Sequence, residues 1–297
     1  MYDILISCFG CILIIILGYL LKRIGILTFE DRKPLSKIIT HITLPCAIIC
    51  GAGNLKLDWQ MALIVLLGLS FALLMLFTSY LLTRRCSKED QVFYLLSCGA
   101  FNVSSFTIPF IQTLIAPAYL IFAFAFDAGN ALMATNGAYI TTCALTGYKR
   151  NQGSFFRRLF SSIPFDVYLI ILFFSLFHLS VPSVVTDLVS IAARANPFLC
   201  MFVIGVMLEF RFEREAIKKT SFILITRLGF AALACLVVRL LPLDTQVIKI
   251  ICVCLFSPVS TLAPIFIDMI GGDTSLSSFV FSCSTIVSIL IITIILL

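Results

Sequence analysis

The sequence predicts an all-α integral membrane protein: ten transmembrane helices arranged as two inverted five-helix repeats, with helices 4 and 9 broken. Three observations carry this. The composition is 61% hydrophobic with only 12% charged residues and a mean hydropathy of +1.11, outside the range of soluble domains. Ten segments approach the ~20 apolar residues a helix needs to cross the hydrocarbon core. A polar, proline-terminated stretch, Phe101-Asn102-Val103-Ser104-Ser105-Phe106-Thr107-Ile108-Pro109, also returns 155 positions later as Phe256-Ser257-Pro258-Val259-Ser260-Thr261-Leu262-Ala263-Pro264.

The ten segments are Ile4–Leu21, Ile38–Leu55, Trp59–Thr83, Gln91–Ile115, Ala118–Thr146, Ile163–Val181, Ser183–Leu208, Thr220–Leu240, Thr245–Ile270 and Leu276–Leu296. Residues 1–148 form the first repeat, 149–162 a basic linker, and 163–297 the second repeat. Sixteen of the twenty-one Lys and Arg fall on one side of this layout: Lys22, Arg23, Arg32, Lys33, Lys37, Arg84, Arg85, Lys88, Lys149, Arg150, Arg157, Arg158, Arg211, Arg214, Lys218 and Lys219. The positive-inside rule makes that side cytoplasmic. The protein is therefore expected to be multi-pass in the cell (plasma) membrane, with both termini extracytoplasmic. The charge of +6 is explained by this asymmetry and lipid headgroups, and needs no nucleic acid.

Helix 1 lacks a basic residue ahead of its apolar run and is read as a span, not as a cleaved signal. Helix 2 carries His41 and Pro45, and Pro197 in helix 7 matches that proline; each is expected to kink its helix. His41 reads as a packing residue, with a proton relay as the sharper alternative. Helix 3 is uniformly apolar and reads as lipid-facing scaffold. Helix 4 is interrupted by the polar stretch, because Pro109 lacks a backbone donor and lipid offers no partner to the freed carbonyls. Helix 5 carries Asp127 and Asn130 at the head of a small and polar stripe suited to close helix approach. Helices 6–10 repeat this order. An odd number of helices per repeat inverts the second relative to the first. Twelve cysteines, Cys8 and Cys11 among them, read as small packing residues, and no metal site or cofactor is expected.

A helix broken in mid-membrane presents unpaired N–H groups at one new end and unpaired carbonyls at the other. The first suits an anionic group and the second a cation. The candidate substrate-binding residues are Asn102, Ser104, Ser105, Thr107 and Pro109 at one break, and Ser257, Ser260, Thr261 and Pro264 at the other. A carboxylate at mid-bilayer costs roughly 2.5–3.5 kcal/mol on insertion scales and is by default a functional residue. Asp127, Asn130 and Asp268 are thus the candidate ion-coupling set, with proton or sodium as the ion. Arg227 is expected to snorkel to the cytoplasmic face; Asp268 either joins the cavity or pairs with Arg227.

These residues resemble the auxin efflux carrier family, which includes plant auxin exporters and bacterial permeases described as carrying malate or malonate. The resemblance rests on Gly18-Tyr19 with Gly25-Ile26-Leu27, Leu44-Pro45, Asn102 seven residues before Pro109, Gly129-Asn130-Ala131-Leu132, and the Pro264 segment before a serine-rich last helix. It implies two five-helix inverted repeats crossing at prolines, and a substrate site at Asn102, Pro109 and Pro264. Ser104, Ser105 and Thr107 stand where the family usually has glycines.

The expected function is secondary active transport of small organic anions (carboxylates such as malate, malonate or auxin-like acids) by alternating access. A homodimer is compatible with it. A cation/proton antiporter of similar architecture is the alternative. An intramembrane aspartyl hydrolase using Asp127 and the Asp273 of Gly271-Gly272-Asp273 is the remote one, since that chemistry needs paired carboxylates. No ATP-binding loop of the G-x-x-x-x-G-K-[ST] kind occurs, so any driving force is not local ATP hydrolysis. Read as a secondary transporter, the protein is not expected to be an enzyme.

Overall fold

The computed structural model describes residues 2–52, 58–148 and 163–297. The basic linker 149–162 and Lys56 lie outside the described residues. Twelve helical elements position the site: α1 (Tyr2–Arg23), α2 (Phe29–Ala52), α3 (Trp59–Thr83), α4 (Lys88–Cys98), α5 (Ile108–Ile111), α6 (Pro117–Thr146), α7 (Ile163–Leu176), α8 (Ser183–Met207), α9 (Arg214–Val238), α10 (Thr245–Leu255), α11 (Ala263–Met269) and α12 (Thr274–Leu296). Among the described residues seven of these (α1, α2, α3, α6, α8, α9 and α12) are long and apolar enough to cross a membrane, while α7 and α10 are shorter apolar helices. The chain is therefore an all-helical, multi-span membrane protein.

Sequence sets the helix ends. Asp58, Ser87, Asp244 and Asp273 each accept a hydrogen bond from a first-turn N–H of α3, α4, α10 and α12, which satisfies donors a helix leaves open. Gly25 and Gly147 follow α1 and α6 at φ +83° and +62°, where a Cβ would be strained.

The prolines act differently from one another. Ahead of Pro45, α2 does not break but widens into a π-helical turn over Ile39–Thr43, which absorbs the missing donor. Pro197 lies within the continuous α8. The two proline-bearing helices meet there, through a buried Thr43 hydroxyl donating to Asn196 Oδ1 at 3.0 Å. The segments ending in Pro109 and Pro264 are interrupted. Predicted helix 4 is split into α4 and α5, with a π-helical turn over Val103–Thr107 before α5. Predicted helix 9 is split into α10 and α11.

Helix contacts are densest within two groups, in which α8 packs on α1 and α2 while α7 packs on α2, and α6 packs on α3 and α10 while α9 packs on α10 and α12. Across that division α2 and α7 also touch α6, and α1 touches α12. Backbone-to-backbone approach explains two of these pairs. A Cβ on Gly129 would sit 1.9 Å from Val65 O, and one on Gly68 would sit 2.0 Å from Phe126 O, so α3 and α6 touch through reciprocal glycines. Gly18 and Gly205 do the same for α1 and α8. The reading of helix 3 as lipid-facing scaffold holds for the face carrying Leu66, Leu74, Phe77 and Leu82, which is exposed, but not for the whole helix. One face, with Ile64, Gly68, Phe71 and Met75, is buried, although uniform apolarity gave it no visible sidedness.

Candidate functional site

The two interruptions lie against each other. Past α4 the chain extends, and Phe101 pairs with Val259 as an isolated antiparallel bridge, while the Asn102 N–H donates to Pro258 O at 3.1 Å. Side chains supply what a sheet would otherwise provide. Asn130 on α6 brackets Phe101, accepting from its N–H at 3.0 Å and donating to its carbonyl at 2.8 Å. Ser284 on α12 accepts from the Val259 N–H at 3.1 Å. Every buried backbone group needs such a partner where water is absent.

Asp127 is 1% exposed. It accepts from the Tyr168 hydroxyl at 2.8 Å and from Asn130 Nδ2 at 3.2 Å, and Ser104 also hydrogen-bonds to it. Thr107 and Ser257, one from each break, share a hydrogen bond at 2.6 Å. Asn102 is 4% exposed, and its Nδ2 has no partner among the described residues. Pro109 is buried in α5, and the Ser260 hydroxyl accepts from the Leu262 N–H.

A cavity of about 790 Å³ opens between the two helix groups. Ser105, Thr261, Pro264 and Asp268 face it from one side, and Cys200, Ile204 and Met207 of α8 from the other. Arg32, Lys33, Lys37 and Glu209 also line it. The predicted residues therefore divide. Ser105, Thr261, Pro264 and Asp268 reach the open cavity, whereas Asn102, Ser104, Thr107, Asp127, Asn130 and Ser257 belong to the polar network around the crossing.

Two expectations are corrected. Arg227 does not snorkel: it is residue fourteen of the 25-residue α9, too far from either end for its side chain to reach an interface, and is 5% exposed. Its Nη1 donates to Ser97 O and Ala100 O at 3.3 and 3.2 Å, and its Nη2 to Ser257 O and Pro258 O at 2.9 and 3.0 Å. Its guanidinium thus holds both breaks and does not pair with Asp268. His41 is exposed, with its Nδ1 3.0 Å from Lys37 O, away from the crossing. Asp273, the remote hydrolase candidate, caps α12 and pairs with Arg211 on the surface. It forms no carboxylate pair with the buried Asp127.

Two residues at the site escaped sequence reasoning. Tyr168 was unmarked because a tyrosine in an apolar segment usually means packing or an interface anchor. Arg32 looked like an ordinary loop cation. It instead stacks on Phe29, 3.9 Å from guanidinium carbon to ring centroid, and its Nε is buried without a partner among the described residues.

With this geometry in hand, comparison with known proteins is informative. Residues 3–147 match the model of a family described as "Membrane transport protein". The chain is also 24% identical over 217 residues, 71% of its own length and 70% of the relative's, to an "Uncharacterized transporter" of Methanothermobacter thermautotrophicus. Over residues 3–147 the chain is thus similar to the membrane transport protein family, in keeping with the auxin efflux carrier resemblance of its motifs.

Proposed function

We propose that the protein is a secondary active transporter of small organic anions, working by alternating access through ten spans built as two inverted repeats. The observation that carries this reading is the crossing itself. Two interrupted helices, joined at Phe101 and Val259, carry hydroxyls and an unpartnered buried amide, Asn102 Nδ2, next to a large cavity. An amide in that condition is costly unless a ligand completes it. The π-helical turn over Val103–Thr107 leads into α5, so its N–H groups favour an anionic group at the crossing.

Arg32, Lys33 and Lys37 line the cavity together with Glu30, Glu209 and Asp268, so its formal charges balance. Arg32, whose buried Nε has no partner among the described residues, is the cation offered to an anion, and an arginine fork matches a carboxylate better than a lysine does. By the charge asymmetry this mouth is cytoplasmic, so the conformation is open to the inside of the cell membrane. The cavity's position between the two helix groups supports movement of one group against the other. Asp127 with Asn130 is the proposed coupling site and Asp268 a cavity carboxylate.

Purified protein in liposomes, screened with labelled malate, malonate and an aromatic carboxylate under imposed pH, sodium and voltage gradients, tests this. Gradient-driven uptake of a carboxylate is expected. Electrogenic proton flux with no organic solute taken up would instead establish the cation/proton antiporter, with Asp127 as its ligand.

A further inference from the structure

The Arg227 guanidinium sits where two helices end head to head. Its four hydrogen bonds go to carbonyls alone, two from the end of α4 and two from the end of α10. The Phe101 ring lies 5.3 Å from its central carbon. No carboxylate among the described residues forms an ion pair with it. Carbonyls at the C-terminal ends of half-helices carry the negative end of each helix dipole. In transporters built from broken helices, such carbonyls are the usual seat of a coupling cation.

We propose that Arg227 is a built-in cation: its guanidinium occupies the carbonyl seat at the crossing, so no sodium or potassium ion binds there. This rests on the transport reading above and deepens it. With the seat filled by a guanidinium that is covalently part of the chain, gradient coupling is left to Asp127 or to the membrane potential. The planar fork suits the task, because each terminal nitrogen faces the carbonyls of one break.

The test needs no organic solute, so a failed carboxylate screen would not touch it, nor would its failure end the transport reading. Purified protein in nanodiscs is melted in choline, potassium or sodium chloride at equal ionic strength. The wild type is expected to show one midpoint in all three salts. Arg227→Ala should melt about 10 °C lower, from the loss of several charge-assisted hydrogen bonds. Millimolar methylguanidinium, and to a lesser degree sodium, should restore at least half of that loss while leaving the wild type unmoved. Arg227→Lys keeps the charge without the fork; it should fall between the two and respond to the same cations, which serves if the alanine variant does not survive purification. Sodium-specific stabilisation that persists in Asp127→Asn with Arg227 in place would overturn the proposal. So would variants that no added cation stabilises, because a merely structural arginine would leave no cation seat behind.

Discussion

At the scale of single residues, the sequence marked polar groups that the structure gathers around the crossing, but not their partners. Asp127 is unusual in any apolar segment, and Asn130 lies one turn away. That Asn130 serves the backbone of Phe101, and that Tyr168 reaches Asp127 from α7, are contacts across 29 and 41 positions of chain. Asp127→Asn is expected to abolish gradient-driven uptake in liposomes while the protein still purifies as a folded monodisperse species; uptake at the wild-type rate would remove it from coupling. Asn102→Ala should weaken the transported solute by about tenfold or more in apparent affinity, as losing a hydrogen bond to a charged group does. An unchanged affinity would separate Asn102 from the substrate.

At the scale of elements, glycines and caps decide how helices meet and where they start. Gly129→Ala places a methyl group against the backbone of α3 at Val65, which a flexible side chain cannot relieve. It is expected to destabilise by about 1–3 kcal/mol, read as a lowered thermal midpoint. Gly10→Ala, with nothing within 4 Å of its added carbon, is the control and should melt like wild type.

The α12 cap adds a pH dependence. Burial by itself would raise the Asp273 carboxyl, but the Leu276 N–H, the Arg211 guanidinium and the Ser275 N–H outweigh it and hold it below its ordinary 3.8. A carboxyl depressed in the folded state stabilises above its unfolded value, and that contribution is lost as pH falls through the folded one. Lowering the pH below about 4 should therefore remove it. Asp273→Asn should flatten this acid limb; an identical pH profile would assign the limb to other carboxylates.

At the scale of the whole molecule, the basic residues and the cavity mouth coincide, since Arg32, Lys33 and Lys37 line it. Native cysteines provide a check on orientation. Cys86 is exposed beside Arg84 and Arg85, on the side assigned to the cytoplasm. A membrane-impermeant maleimide should label it in inside-out vesicles and not in intact cells, with the signal lost in Cys86→Ser. Labelling in intact cells that is lost in Cys86→Ser, and so does not come from the other exposed cysteine, Cys50, would reverse the assignment and the direction in which the cavity opens.

The sequence by itself determined the membrane class, the positions of the apolar segments, the two interruptions and the family resemblance. Each of these is a local property: apolar length, a proline without a donor, a cluster of hydroxyls. It misjudged Arg227 and did not show which face of helix 3 is buried, because local properties do not say what a side chain meets. An arginine among apolar residues reads the same whether it reaches water or four carbonyls, and a uniformly apolar helix reads the same against lipid or against another helix. Only the tertiary structure decided that, by bringing the ends of α4 and α10 together and leaving Arg227 as the nearest donor to the carbonyls stranded there.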